Sequence, residues 1–449
     1  MKRWLLFWLF PLWISCSGQG VTPGGEHTFP SASGDPEPSE NPSGEPSDEP
    51  SQDASAEPSP DPSTDPEVWP VLSGSFIQHW YPRQWSDSRW NKEMELLAEA
   101  GITYLIYTPM MENDSPAEYT SLERCLKSAA AHGVKILVGP NFHSGWWSIQ
   151  GSDWLDAQMT TGVSVAREIY ERFHADYPET LWGWYWDWEV DNLSWQVRRS
   201  ALAQAWNITL DGLTAIDPDM PLLFSPFMNT ALGTANGYGS FWKDMFSRLH
   251  LRPGDIFCPQ DCVGARNLAP EAVDAWLAAM KEAADGVEGL RFWVNVEIFD
   301  MYTVGDNTWY ATASLQRAVR QMEVASAYAE QLFCFAYSHY YSPQIVTEGY
   351  HKAYCTYRET GSLPALDRPR TVNAVTRSEG SGTTLGWTLV NKEGIEGVSL
   401  YKNDALLVRL QYRDSTFPTS FTDAAGTAAD KYEIATYNCL GDESAKVPF

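Results

Sequence analysis

Glu189 and Glu297 each end an aromatic-rich, strand-like run: Leu181-Trp-Gly-Trp-Tyr-Trp-Asp-Trp-Glu189 and Arg291-Phe-Trp-Val-Asn-Val-Glu297. Two carboxylates among aromatic rings are the equipment for breaking a glycosidic bond. One protonates the departing oxygen; the other attacks the anomeric carbon or activates water. Side chains alternate between the two faces of a strand. In the first run this groups Trp182, Trp184, Trp186 and Trp188 against a helix layer and turns Tyr185, Asp187 and Glu189 to an interior. In the second, Trp293, Asn295, Glu297 and Phe299 share the face opposite Phe292, Val294 and Val296. A buried carboxylate is costly unless paired or functional. Asp187 is therefore either the partner of an Arg on another strand or a further catalytic candidate.

Something must hold both runs side by side. Strand-like segments recur at Gly74–Trp80, Thr103–Thr108, Lys135–Asn141, Leu181–Glu189, Pro221–Phe227, Asp255–Asp261, Arg291–Phe299 and Leu332–His339. Helical periods lie between them, two of which stop at Gly101 and Gly133, the residue type that ends helices. Eight strand–helix units in about 290 residues predict a (β/α)8 TIM barrel, whose strand C-termini build the active site. A doubly wound open sheet is the rival, but no Gly-rich phosphate fingerprint follows the first strand. The polar and aromatic residues at the other strand ends then become candidate substrate contacts. These are Gln78 and Trp80; Asn141, His143, Trp146 and Trp147; Asn229; Gln260 and Asp261; and Tyr337, His339 and Tyr340. With them stand Tyr185, Asp187 and Asn295 from the two carboxylate strands.

From about residue 367 the texture changes to short alternating runs, Thr384–Val390, Gly397–Lys402 and Lys431–Asn438, with Asn403-Asp404 as a turn. This predicts a small all-β sandwich over 367–449 following the barrel over 69–366. Contacts between such modules are usually modest and polar, so the barrel is expected to stand without the sandwich.

The chain begins Met-Lys-Arg, followed by an apolar run from Trp4 to Ile14. That is an export signal, too short to span a membrane. Its end, Ile14-Ser15-Cys16, resembles a bacterial lipobox, which implies a signal peptide over 1–16 and a lipid on Cys16. Residues 17–68 hold 12 acidic residues and no Lys or Arg among Pro, Ser and Gly. Such a segment stays extended and suits a spacer between an anchor and an enzyme.

The net charge of −27 argues against nucleic acid, whose phosphates need a basic patch. The 21 Trp and 21 Tyr exceed what a core requires and suit stacking on sugar rings. Cys125, Cys258, Cys262, Cys334, Cys355 and Cys439 are scattered, read as buried thiols, and match no zinc spacing. No cofactor and no metal are implied, and a monomer is expected.

Ser73-Gly-Ser-Phe-Ile-Gln-His-Trp80, the Trp90 helix ending Ala-Gly-Ile102, Trp184-Tyr-Trp-Asp-Trp-Glu189, Gln260-Asp-Cys-Val-Gly264 and Val294-Asn-Val-Glu297 resemble an uncharacterised family of bacterial lipoproteins. Its TIM barrel is described as a glycoside hydrolase domain of unknown function. The resemblance covers about residues 70–365 and implies the fold more than the activity. A looser resemblance is to the clan of retaining glycosidases with an acid/base on strand four and a nucleophile on strand seven. That implies Glu189 as acid/base and Glu297 as nucleophile. The clan places Asn before the strand-four Glu; here Trp188 stands there. The C-terminal runs around Trp387, Tyr401 and Tyr437 resemble a fibronectin type III-like module.

The expectation is an exported lipoprotein of the bacterial cell envelope that hydrolyses a poly- or oligosaccharide. The alternatives are a glycan-binding surface lipoprotein without activity and a structural or adhesive surface protein.

Overall fold

Helix signals in the sequence are used where they stand. Ser86 accepts a hydrogen bond from the Arg89 N–H and opens α1 (Asp87–Glu99). Gly133, at φ 68°, closes α2 (Tyr119–His132) in the left-handed region that favours glycine. Further helices follow in turn: α3 (Ser152–Phe173), α4 (Arg199–Ile216), α5 (Ala235–Phe246), α6 (Val273–Asp285), α7 (Leu315–Ser326) and α8 (Glu348–Thr360). The structure, a computed structural model, describes residues 69–148 and 150–449. The signal, Cys16 and the linker of 17–68 lie outside the described residues. No helix among those described is long and apolar enough to cross a membrane.

The helices alternate with parallel strands: β1 (Leu72–Gln78), β2 (Tyr104–Thr108), β3 (Lys135–Val138), β4 (Leu181–Trp186), β5 (Leu222–Phe224), β6 (Ile256–Phe257), β7 (Arg291–Phe292, resuming as Val294–Glu297) and β8 (Leu332–Phe335). The two ends of this sheet are the two halves of β7, one paired with β6 and the other with β8. The sheet therefore closes on itself as a TIM barrel. Each strand starts within two residues of the expected position.

The interior is apolar at mid-height, where Phe76, Ile106, Leu137, Tyr185, Leu223, Ile256 and Cys258 meet. Here one expectation fails. Trp182 does not join the helix layer; it lies inside, stacked on Trp293 at 6.3 Å and 6°, with Tyr104 4.9 Å away. The cause is a register shift. Ile136 pairs with Leu181, but Leu137 pairs with Gly183, so Trp182 is an extra residue in the ladder. A bulge moves a side chain to the other face. Beyond it the alternation resumes, and Trp186 stacks on Trp206 of α4 at 3.7 Å. Trp182 and Trp293 thus stack inside the barrel, and Tyr185 still faces inward.

The C-terminal part is antiparallel: a three-stranded sheet (Ala374–Glu379, Thr383–Thr388, Ser420–Asp423) and a four-stranded one (Ala405–Gln411, Gly397–Lys402, Tyr432–Tyr437, Val447–Pro448). Asn403 and Asp404 adopt φ of 50° and 69°, as a tight hairpin turn requires. The core between the sheets, around Leu385, Trp387, Val398, Leu400 and Ile434, also takes in Tyr302 and Ala311. Those two belong to a hairpin, Phe299–Val304 with Asn307–Thr312, that leaves the end of β7. The contact between barrel and sandwich is thus partly apolar rather than modest and polar. Cys125, Cys258, Cys262, Cys334 and Cys439 are free and buried, and Cys355 is free and half-buried.

Candidate active site

β4 ends at Trp186, and the chain runs on extended through Glu189. Three elements grip this segment. Trp146 Nε1 donates to the Glu189 carbonyl at 2.7 Å; Phe227 N and Tyr238 Oη donate to the Val190 carbonyl at 3.1 and 3.0 Å. Trp146 is itself packed against Trp186, Trp188 and Trp195. The Glu189 side chain is half-buried and accepts a hydrogen bond from Gln260 Nε2 at 2.7 Å. Gln260 Nε2 also donates to the Ser225 carbonyl at 2.9 Å, which fixes the amide.

Glu297 closes β7 and is buried. Its N–H donates to Asp261 Oδ1 at 3.1 Å, and its Oε2 accepts from the Ala265 N–H at 2.7 Å. Asp261 also accepts from Val263 N and from Gln321 of α7. The Gln260 backbone also bridges to Asn295 of β7, and Gln260-Asp261 thereby links the Glu189 carboxyl to the backbone N–H of Glu297 across β4, β6 and β7.

Burial pushes the Glu189 carboxyl up to about 7, with the Gln260 donor pulling the other way. Burial raises Glu297 as well; the charge of Asp261 adds to this, and the Ala265 amide and Arg317 oppose it. Asp261 is raised by burial against the Gln321 donor. Proton affinity near neutrality at a strand-end carboxylate is the usual mark of an acid/base site.

Asp187 is buried on the same strand end as Glu189, and its partner is no arginine: Thr108 Oγ1 of β2 donates to its Oδ1. Its carboxyl is raised well above the ordinary range by burial. A Cβ on Gly139 would stand 2.3 Å from Asp187 Oδ1 and 2.4 Å from Thr108 Oγ1, so only glycine leaves room for this pair.

The other expected contacts divide into two groups. Asn295 and His339 are buried, and among the described residues Asn295 Oδ1 and His339 Nε2 have no hydrogen-bond partner. Buried polar atoms are rarely left so unless something else satisfies them. Tyr340 stacks on Phe299, 5.6 Å away, and Gln78 pairs with Thr108 at the top of β1. Trp80 lies edge-on to His79 at 5.3 Å, and Trp147 lies 6.2 Å from Phe227.

The second group is turned to structural work. Asn141 donates to the Gln158 carbonyl of α3, because the chain leaves β3 at Val138 and bends outward through Gly139-Pro140. His143 caps the turn Ser144–Trp147, accepting from Gly145 N. Asn229 caps the turn Thr230–Leu232 and pairs with Asn192. Tyr337 Oη meets His351 of α8 at 2.7 Å. Asp261 stands behind Glu297 as a positioning residue. Among the described residues no group of three or more His, Cys, Asp or Glu is arranged to hold a metal ion.

Sequence reasoning passed over Thr108, Gly139, Tyr81 and Arg413. In the sequence Thr108 reads only as a strand end. Tyr81 packs on His339 at 4.7 Å, and Arg413 reaches the mouth from the sandwich, which no local pattern announces.

A family model described as a domain of unknown function, DUF4434, matches residues 72–347. The chain belongs to that family. The DUF4434 match begins with β1 and ends in the loop beyond β8, so it takes in all eight barrel strands and stops before α8 and the sandwich. No curated protein matches the sequence. Among solved structures, the DUF4434 barrel is similar to a Bacteroides thetaiotaomicron protein provisionally described as an alpha-L-fucosidase. The two are 17% identical with a TM-score of 0.55, over 65% of this chain and 96% of that one. It also matches an intracellular xylanase from Thermoanaerobacterium saccharolyticum (12% identity, TM-score 0.39, 60% of this chain and 85% of that one). A beta-glucuronidase from Bacteroides uniformis matches at 9% identity and TM-score 0.41, over 84% of this chain and 45% of that one. The names of these neighbours are those of glycoside hydrolases; the likeness to the first establishes the barrel fold of the DUF4434 protein.

Proposed function

We propose that this protein is a glycoside hydrolase acting on a poly- or oligosaccharide, with Glu189 as acid/base, Glu297 as nucleophile and retention of configuration. The observation that carries the reading is the Gln260-Asp261 dipeptide, which bonds the half-buried Glu189 carboxyl through Gln260 and the Glu297 backbone N–H through Asp261, so both strand ends are held by one segment. The acid must hold a proton near neutral pH, and Glu189, pushed up to about 7, does so. The nucleophile must be held still, and the Ala265 N–H holds one Glu297 oxygen at 2.7 Å. Retention calls for roughly 5 Å between the carboxyl groups. Trp188 packs on Phe142 and Trp146, so the sugar 2-hydroxyl falls to Asn295 or Gln260.

A second reading has its own support. Burial and Asp261 raise the Glu297 carboxyl, and a protonated carboxyl donates a hydrogen bond rather than attacking. A barrel working this way binds glycan without cutting it.

The deciding experiment screens the purified protein on a glycan panel for retention and for release of reducing ends. For a hydrolase, Glu297→Gln lowers turnover by several orders of magnitude while binding persists, and Glu189→Gln spares activated aryl glycosides. Near-native turnover by Glu297→Gln on the natural glycan overturns the assignment. Retention without any cleavage establishes the binder.

The reading extends to location. Lipid on Cys16 and the acidic spacer hold the barrel off a membrane of the cell envelope, and the fibronectin type III-like sandwich supports the barrel. Cys16→Ala should release the protein from membrane fractions; a variant that still sediments with membranes removes the anchor.

A further inference from the structure

Arg413 lies in the C-terminal sandwich, yet its side chain is delivered to the barrel. Arg413 and Thr416 exchange backbone hydrogen bonds of 3.0 and 2.9 Å, with Asp414 and Ser415 at φ 48° and 65° between them. The Asp414 N–H then donates to the Ile345 carbonyl at 2.8 Å, which pins this turn to the loop beyond β8. The guanidinium carbon stands 6.0 Å from the Tyr81 ring centre and 5.7 Å from that of Tyr340. Both rings are at the C-terminal end of the barrel, and Tyr340 stacks on Phe299, two residues beyond Glu297.

Among the described residues Arg413 enters no ion pair. Of the acidic groups near Tyr81, Glu93 is bonded to Ser342 and Gln344, and Asp414 is exposed on the turn. The neighbouring His339 adds no second charge. Burial and the Arg413 field hold its ring neutral, down to about 3, with Nε2 buried and unpartnered. The guanidinium lies against two aromatic rings at the mouth, and its planar set of N–H donors matches carboxylate and sulfate oxygens. In a chain of net charge −27, a cation delivered to the mouth favours an anionic ligand over a neutral one.

We propose that Arg413 binds an anionic substituent, a uronate carboxylate or a sulfate ester, so that the substrate is an acidic glycan. This rests on the barrel mouth being the glycan site proposed above.

The test uses the full chain and immobilised polysaccharides in three groups: neutral (xylan, dextran), uronate-bearing (glucuronoxylan, polygalacturonate) and sulfated (dextran sulfate). The expected result is at least tenfold tighter retention of a uronate or a sulfated glycan than of its neutral counterpart, roughly the worth of one charge-assisted contact. Which group is retained identifies the substituent. Arg413→Gln should erase that margin and Arg413→Lys keep part of it, both melting within a few degrees of native. Equal retention of neutral and acidic glycans, no retention of acidic ones, or a margin that survives Arg413→Gln overturns the proposal. Reducing ends are assayed on the same panel. Acidic glycan held through Arg413 but left uncut defeats the hydrolase reading alone; neutral glycan bound and cut defeats the Arg413 proposal alone.

Discussion

Gln260 Nε2 lies 2.7 Å from Glu189 Oε1, and the residue after it, Asp261, accepts the N–H of Glu297 at 3.1 Å. One dipeptide beyond β6 thus holds the Glu189 carboxylate and the backbone of Glu297. The Gln260 donor stabilises the ionised form of Glu189. Gln260→Leu should raise the Glu189 carboxyl further and move the basic limb of kcat/KM upward by about one pH unit, the worth of one hydrogen bond to a charge. A pH–rate profile on an aryl glycoside checks this; an unmoved limb means that Glu189 is not the group titrating.

Asp187 depends on Thr108. Thr108→Val keeps the shape and removes the hydroxyl, leaving a buried carboxyl without its donor. The expected loss is about 1–3 kcal/mol of stability. Gly139→Ala should be no milder, since its Cβ would stand 2.3 Å from Asp187 Oδ1. Denaturant titration of both variants measures it, and wild-type midpoints would show that Asp187 is satisfied from elsewhere.

The carboxylates should cost stability as they ionise. Glu189 has an ordinary value of 4.5 and about 7 in the folded protein, so the fold binds this proton more tightly than the unfolded chain does. The stabilisation is complete below about 4.5 and is lost as pH rises through about 7; Glu297 acts in the same direction. Melting temperature should therefore fall between these values. Glu189→Gln and Glu297→Gln should fall less and melt above the native protein at pH 8. A native curve parallel to both variants would contradict the raised values.

Cutting after residue 366 should damage the barrel. The hairpin bearing Tyr302 and Ala311 would lose its apolar cover, Thr312 N its acceptor on Gln411, and Leu315 N its acceptor on Cys439. Residues 69–366 alone should be aggregated or molten by near-ultraviolet circular dichroism. A soluble fragment with native-like cooperative melting would restore the independent barrel that composition alone suggests.

The residue pattern by itself determined the eight strand–helix units, the antiparallel C-terminal texture and the inward alternation of Asp187 and Glu189 and of Asn295 and Glu297. These follow from the two-residue period of a strand and the stop signals of helices, which are local. It could not place Trp182, because a bulge depends on how β4 pairs with β3 and leaves no mark in β4 itself. It could not separate Asn295, left with a free Oδ1 in the mouth, from Asn141, bonded to α3, because both are asparagines at strand ends. Thr108, 79 residues from Asp187, and Arg413, brought to Tyr81 and Tyr340 by a different module, became visible only once the chain was folded. Those contacts join residues far apart in sequence, and closure of the barrel and docking of the sandwich decide them.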